Sequence, residues 1–306
     1  FTDTDAAIDA RTVRVCVVKV TSQSTLVIKL GALGDMVQAI PMFDVLRQQY
    51  GDNLTLLTTA PFIDFAQRSG YFKTIMCDDR TSLKTNLGVL WRLRKQYFAR
   101  VVDLQNVDRT RLYKMLLLGS YGMWITDPHA QKGAHPYERF SSLCAAQSWP
   151  ILPPIDIRMM AELFDVIPTK PYMLVVAGAS NAHGGCKRWP QVAYGDLCKR
   201  LLDAGITPVL IGSVRDSLSE LESLCVNSSA INLIGKTTLF QLITIAQNAV
   251  GAVGNDTGPQ LIIAAAGCPT VTLFSSVNPP SKGGAWPWDQ ARHKNICADD
   301  LAKFYV

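Results

Sequence analysis

Three short stretches carry residue types and spacings suited to chemistry on an anionic ligand. The first is Lys29-Leu30-Gly31-Ala32-Leu33-Gly34-Asp35. Gly31 and Gly34 let the backbone approach a ligand closely, and Asp35 stands at the start of a helical pattern. A carboxylate placed there can take a proton from a hydroxyl, and it can equally cap the helix. The stretch is neither G-x-G-x-x-G nor G-x-x-x-x-G-K-[ST], so it supports neither a dinucleotide fingerprint nor a P-loop. The second is Gly178-Ala179-Ser180-Asn181, followed by Lys187-Arg188-Trp189-Pro190. It offers N–H, hydroxyl and cationic groups to an anion, with Lys187 able to neutralise a phosphate. A solvated basic loop with Trp189 packed in the core would use the same residues. The third is Val253-Gly254-Asn255-Asp256-Thr257-Gly258-Pro259-Gln260. Asp256 or Thr257 caps a helix there, Pro259 suits its first turn, and Gly267 ends it. The N–H groups and the positive dipole end form a site for an anion, although many α/β helices begin this way.

The elements that must hold these stretches follow from hydrophobic period. A short apolar run at 25–30 ends on Gly31 and passes into a helical pattern, the opening of a βα unit. Strands follow at 54–58, 74–76 and 100–104, with helices at 62–68 and 87–97. After Trp149-Pro150-Ile151-Leu152-Pro153-Pro154 the rhythm restarts. Strands are expected at 172–176, 207–211, 249–253 and 270–274, and helices at 191–204, 239–248 and 259–266. Short apolar strands alternating with helices imply parallel sheets buried on both faces. The chain is 306 residues long, enough for two domains. The reading is α/β, with two Rossmann-like domains whose parallel sheets face a central cleft. Residues 1–24 form a lead-in with strand character at 13–20, 25–165 the first domain and 166–306 the second, its last helix packing back on the first. Ligands of such sheets bind at the carboxyl ends of strands, where all three stretches fall.

Composition narrows the class. Hydrophobic residues make up 48% and charged residues 18%, with a net charge of +5, which suits a packed globular protein rather than a disordered one. The mild positive charge lacks the dense basic clustering of nucleic-acid binders. Eight cysteines include no C-x-x-C pair, so free thiols in a reducing compartment are expected. The four histidines (His129, His135, His183, His293) match no metal spacing. No run reaches the roughly 18–20 apolar residues of a membrane span, and residues 1–12 lack a signal-peptide core. A cytoplasmic protein is expected.

The order and spacing of the three stretches resemble the heptosyltransferases that build the inner core of lipopolysaccharide, glycosyltransferase family 9. The resemblance is carried by IKLGALGDMVQAIP at 28–41, GAS with KRWP at 178–190, and IGKTTLFQLITIAQNAVGAVGNDTGPQLIIAAAGCPTVTLFSSVNP at 234–279. It covers about residues 25–290. It implies the GT-B arrangement, with the donor bound mainly by the C-terminal domain. Residue by residue it implies that Asp35 is general base on the acceptor hydroxyl, near the turn of Gly31 and Gly34. Lys187 contacts donor phosphate, and Ser180 lies in the loop facing the diphosphate. Asp256 meets sugar hydroxyls, while the backbone of Thr257 and Gly258 meets phosphate. These roles suit inverting, metal-independent transfer from a nucleotide sugar, ADP-linked heptose or a related sugar, to a lipopolysaccharide core acceptor. No other cofactor is implied.

Two departures leave alternatives open. The family's D-[ST]-G-P-x-H has Leu261 at the His position, and its F-G-x-T-D-P reads Phe274-Ser275-Ser276-Val277-Asn278-Pro279. Both fall on the donor side. A UDP- or GDP-linked donor, or a degenerate, non-catalytic nucleotide-sugar binder, therefore stands beside the leading reading. On the acceptor side, residues 91–100 and Arg109, Arg111 and Lys114 are basic and lie beside Met115-Leu116-Leu117-Leu118. They read either as the solvated faces of amphipathic helices or as a surface for an anionic, lipid-linked acceptor at the inner face of the cytoplasmic membrane. His135 and Arg139 are further candidates for substrate contact from a loop.

Overall fold

The computed structural model describes residues 24–297 apart from 79–82, 128–133, 166–167, 170, 180–187, 217, 227, 276–279, 281–282 and 286–287. The expected strand at 13–20 and the expected last helix lie outside these residues. Among them, 24–127 and 138–153 form one compact unit, and 134–137 with 154–297 form the other.

The first unit is built on five parallel strands: β1 (Thr25–Ile28), β2 (Leu54–Thr58), β3 (Thr74–Cys77), β4 (Phe98–Asp103) and β5 (Tyr121–Thr126), in the order β3-β2-β1-β4-β5. Its helices are α1 (Leu33–Gln38), α2 (Ile40–Tyr50), α3 (Ile63–Ser69), α4 (Leu83–Arg94), α5 (Asp108–Leu116) and α6 (Pro136–Gln147). β1 is buried along its whole length, as a central parallel strand covered on both faces must be. Val89 and Leu93 of α4 and Tyr113 and Leu117 of the α5 region share one core cluster with Leu26, Ile28 and Val101. The two helices therefore lie on the same face of the sheet. Pro41 fits the first turn of α2, where its missing N–H costs nothing. Gly51 ends that helix at a φ of 75°, a conformation open to glycine.

The second unit carries β6 (Tyr172–Val176), α7 (Gln191–Asp203), β7 (Thr207–Ile211), α8 (Ser219–Val226), β8 (Ile231–Asn232), α9 (Leu239–Asn248), β9 (Gly251–Asn255), α10 (Gly258–Ala265), β10 (Thr270–Phe274) and β11 (His293–Cys297). Its six strands are parallel in the order β11-β10-β9-β6-β7-β8. Counted from β6, this is the 3-2-1-4-5-6 order of a doubly wound dinucleotide-binding sheet. α9 starts with a reciprocal cap: the Thr238 hydroxyl accepts from Gln241 N–H (3.1 Å), and the Gln241 side chain accepts from Thr238 N–H (3.0 Å). Behind that cap Phe240, Leu242, Ile243, Ile245 and Ala246 are buried, and burial of each larger apolar side chain contributes about 1.5–3 kcal/mol.

Most expected elements are present within a few residues. The expected strand at 249–253 instead runs from Gly251 to Asn255, because its partner fixes the register: Met173 pairs with Gly251 and Val176 with Gly254. A Cβ on Gly254 would run into Val176, so glycine is what lets β6 and β9 meet. The shift places Asn255 inside the strand end. α5, β5, α6, α8, β8 and β11 are additional elements.

A buried ion pair fastens α5 to the end of β3. Asp78 accepts from Arg109 Nε (2.9 Å) and Nη2 (2.6 Å) and from the Tyr113 hydroxyl (3.0 Å). Burial, with the nearby Asp78 charge, raises the Tyr113 phenol above its ordinary pKa. Removing one partner of such a pair leaves the other uncompensated. Asp78→Ala should lower unfolding stability by about 3 kcal/mol, read as a lower urea midpoint at unchanged slope. A wild-type midpoint would show that the pair contributes nothing net.

Candidate functional site

In a sheet ordered 3-2-1-4-5, the chain leaves β1 toward one side and β4 toward the other, opening a crevice at their carboxyl ends. Both strands deliver polar groups there. β4 ends on Asp103, whose Oδ1 accepts the N–H groups of Gln105 (3.0 Å) and Asn106 (2.9 Å) and so turns the chain sharply. That turn presents Gln105, whose Oε1 accepts from Leu30 N–H (3.0 Å) and Lys29 Nζ (3.3 Å). The Thr59 hydroxyl, after β2, donates to the Leu30 carbonyl (3.0 Å). The glycine turn is thereby held from both neighbouring strands. Gly31 has a φ of 128°, and a Cβ there would strike the Phe62 ring, so no other residue fits.

Asp35 follows in the first turn of α1. Its Oδ2 accepts from Ala32 N–H (3.2 Å) and lies 3.5 Å from Lys29 Nζ, yet the side chain is 43% exposed. The capping and chemical readings of Asp35 are therefore compatible: one oxygen holds the turn and the carboxylate still faces solvent. Gly34 lies inside α1 beside it. Leu30, Gly31, Ala32, Asp35, Thr59, Phe62 and Gln105 line an open pocket of about 400 Å³. An aromatic face, a hydroxyl, an amide and a carboxylate around one pocket can receive a sugar-like, hydroxylated ligand.

The second unit brings two strand ends together in the same topological position, β6 and β9. Asn255 is fully buried and uses its whole amide. Its Nδ2 donates to the carbonyls of Ala177 (2.8 Å) and Gly178 (3.5 Å), and its Oδ1 accepts from Trp189 N–H and the Tyr194 hydroxyl (both 3.0 Å). It joins the end of β9 to the turn after β6 and to the start of α7. Asp256 follows, half-buried, its carboxylate beside Gly283. Thr257 occupies the N-cap position of α10 in extended conformation but makes no side-chain cap; its hydroxyl is buried and unbonded. Gly258 and Pro259 open the helix. Ser180 and Lys187 lie outside the described residues. Their neighbour Arg188 donates to the Ala179 carbonyl (2.6 and 3.2 Å). Trp189 packs edge-to-face on Tyr194 with ring centroids 4.9 Å apart, against the core.

Gln105 and Asn255 are the residues that sequence reasoning missed. Each is an amide just past or at the end of a strand, and that position is the signal that could have marked them. Several expectations need correction. His135 is buried, accepting Tyr137 N–H at Nδ1 (3.1 Å) and meeting the Gly284 carbonyl at Nε2 (3.0 Å), so it supports structure. Arg139 stands on α6, not in a loop. Arg109 is committed to Asp78, and Arg100 stacks over the Tyr50 ring at 4.5 Å. Leu261, at the position where the resemblance expects His, is buried in α10 and offers no polar group. Cys144, Cys198, Cys225 and Cys268 are free thiols, and burial pushes that of Cys144 up to about 11. Among the described residues no three metal-ligating side chains converge, and no helix is long and apolar enough to cross a membrane.

The site thus defines a class, an α/β protein of two doubly wound sheets whose switch points carry an exposed carboxylate in one unit and an anion-friendly helix start in the other. Residues 143–302, about half of the chain, match the family described as glycosyltransferase family 9 (heptosyltransferase), and the chain belongs to this family. It is 31% identical over 126 residues to lipopolysaccharide heptosyltransferase 2 of Salmonella typhimurium, a match covering 40% of this chain and 36% of that relative. The chain thus aligns with only about a third of the curated relative's length. Two solved structures resemble it along most of their length. The Escherichia coli ADP-heptose lps heptosyltransferase II is 19% identical with a TM-score of 0.69, covering 89% of this chain and 90% of that one. A family 9 glycosyl transferase from Veillonella parvula is 15% identical with a TM-score of 0.73, covering 93% and 89%. The fold is therefore the GT-B fold that the motifs implied.

Asn255→Ala would leave an N–H, a phenol and two carbonyls without their partner. It should lower stability by about 2–3 kcal/mol, measured by urea unfolding. A parent-like midpoint would remove Asn255 from its role in holding these turns.

Proposed function

We propose that the chain is an inverting glycosyltransferase that moves heptose, or a related sugar, from an ADP-linked donor to a lipopolysaccharide-core acceptor. The observation that carries this reading is Asp35: a carboxylate at the switch point of its sheet, anchored through one oxygen and exposed beside a pocket suited to a sugar. Family membership and the printed names of the relatives support the substrate class. Asp35 takes the proton of the acceptor hydroxyl as that oxygen attacks the anomeric carbon, and the bond from that carbon to the diphosphate breaks. Lys187, Ser180 and the N–H groups of Thr257 and Gly258 receive the departing diphosphate, while Asp256 holds sugar hydroxyls. These fixed groups do the work without a metal. Gly31 and Gly34 shape the backbone at the acceptor side.

Asp35→Ala should reduce transfer by at least about a thousandfold while ADP affinity, measured by calorimetry, stays within about twofold. Normal turnover by this variant would sink the assignment. Leu261 favours a second reading, a UDP or GDP donor or a non-catalytic binder, since the family's polar group is replaced there by a buried apolar one. Calorimetry with ADP, UDP and GDP separates these: the leading reading expects ADP to bind at least tenfold tighter than either.

The reading includes a peripheral place on the inner face of the cytoplasmic membrane. On the outer side of the α4–α5 layer, Trp91 (59%), Met115 (61%) and Leu118 (66%) are exposed among Arg92, Arg94, Lys95 and Lys114. The Ser120 hydroxyl donates to the Arg94 carbonyl at 3.5 Å, so the end of α4 adjoins the loop bearing Leu118. Apolar side chains rimmed by cations suit an anionic lipid surface. The chain should co-sediment with phosphatidylglycerol vesicles and not with phosphatidylcholine vesicles. Replacing Arg94 and Lys95 by Ala should weaken this by about fivefold per cation. Equal binding to both vesicle types would count against this face.

A further inference from the structure

Arg139 is a cation without a partner. Arg47, Arg68, Arg109 and Arg111 of the same unit each pair with an aspartate. Arg139 is half-buried on α6 and makes no hydrogen bond or ion pair with any other residue, although its Nε is buried. Buried donors are nearly always satisfied, and one that is not calls for a reason. Enclosing a guanidinium with no counter-charge is also costly.

Its place follows from the packing of α6. Cys144 of α6 touches Met42 of α2 with 3.8 Å between the sulfurs. Trp149, just past the end of α6, packs edge-on against Tyr50 at the end of α2, with ring centroids 5.8 Å apart. The two helices therefore run side by side in the same direction. α1 passes into α2 through continuous hydrogen bonds, Ala39 N–H to the Asp35 carbonyl (3.1 Å) and Phe43 N–H to the Ala39 carbonyl (2.9 Å). Arg139 lies five residues before Cys144, and Val37 lies five before Met42. Arg139 thus stands level with the turn that runs from Asp35 to Gln38. Its positive charge is felt by Lys29. Gln38, one turn after Asp35 on the same helix face, is only 3% exposed, and its Oε1 is unbonded. Lys29 is already engaged by Asp35, Gln105 and the Gly31 carbonyl. Arg139 is a cation at this switch point that remains open to a ligand.

We infer that Arg139 is a specificity-determining residue of the acceptor site, which receives an acidic group, carboxylate or phosphate, that the acceptor carries near the hydroxyl presented to Asp35. This rests on the reading of Asp35 as the general base. A guanidinium offers parallel N–H donors that match two oxygens of such a group. Held there, the acid sets how the sugar lies against Thr59, Phe62 and Gln105, and so which hydroxyl reaches the carboxylate. A neutral sugar lacks this second anchor.

The test measures, by calorimetry, the binding of a delipidated lipopolysaccharide-core oligosaccharide in three forms: intact, treated with phosphatase, and with its carboxylates reduced to alcohols. The proteins are the parent chain, Arg139→Gln and, as a control for lost charge, Arg94→Gln on the exposed face of α4. One of the two treatments should weaken binding to the parent by at least about tenfold, and that treatment identifies the acid. Arg139→Gln should bind the intact and the treated form within about twofold of each other, the pattern of two partners in one contact. Arg94→Gln should keep the parent's full difference. Circular dichroism checks folding; should Arg139→Gln fail to fold, Arg139→Met, which keeps an apolar stem, is read in the same way. Equal binding of all three forms to the parent overturns this inference, as does a difference that survives in a folded Arg139 variant. Failure of every form to bind overturns the acceptor reading and this inference with it. Full turnover by Asp35→Ala overturns the reading of the base instead, whatever the binding shows.

Discussion

Within each sheet every described strand runs parallel to its neighbours, so no strand can be joined to the next by a tight hairpin. The chain must leave each strand at its carboxyl end, cross over through a helix and return. Loops and helix starts therefore gather along one edge of each sheet. Where the strand order reverses, between β1 and β4 and between β6 and β9, two adjacent loops part in opposite directions and leave room for a ligand. The Asp35 turn and the Asp256-Thr257-Gly258 turn both stand at such reversals. The other polar features of the protein serve this geometry. Gln105 and Thr59 hold the first turn from either side, and Asn255 holds the second.

The two units solve one problem by different means. In the first, the turn is stabilised by charge as well as by hydrogen bonds, with Lys29, Asp35 and Asp103 brought close together in a partly dry setting. Burial raises the Asp103 carboxyl above its ordinary pKa, while the Thr110 hydroxyl and the N–H groups of Asn106 and Gln105 pull it back. In the second, a neutral amide does the joining, and the charged neighbours Arg188 and Asp216 lie 3.9 Å apart beside it. A neutral keystone leaves the field of the adjoining helix start undisturbed.

How much could be read from the chain alone depended on how local the cause was. Strands such as Tyr172–Val176 and Thr207–Ile211 are apolar throughout because both faces are covered, and that run is visible without any partner. β5 was not visible: as an edge strand it exposes Gly122 and Met123, so its pattern is broken. β8 has only two residues. Asp35 was legible because a carboxylate after a glycine turn is a local pattern. Gln105 and Asn255 were not, since their partners lie 75 and 61–78 residues away. The basic stretch at 91–100 and 109–114 left two readings open for a related reason. Composition cannot show that Arg100 is stacked on Tyr50 or that Arg109 is claimed by Asp78.

Gly178 carries a consequence of a different kind. A Cβ on it would run into the Asp216 carboxylate, and that carboxylate accepts the Ser213 N–H (2.6 Å) at the turn after β7. The loop after β6 and the loop after β7 are thus fitted to each other with no room for even a methyl group between Gly178 and Asp216. Neither can be exchanged for a foreign loop by itself. A chimera designed to alter what the second unit recognises would have to transplant both segments as a single cassette, with Gly178 and Asp216 travelling together.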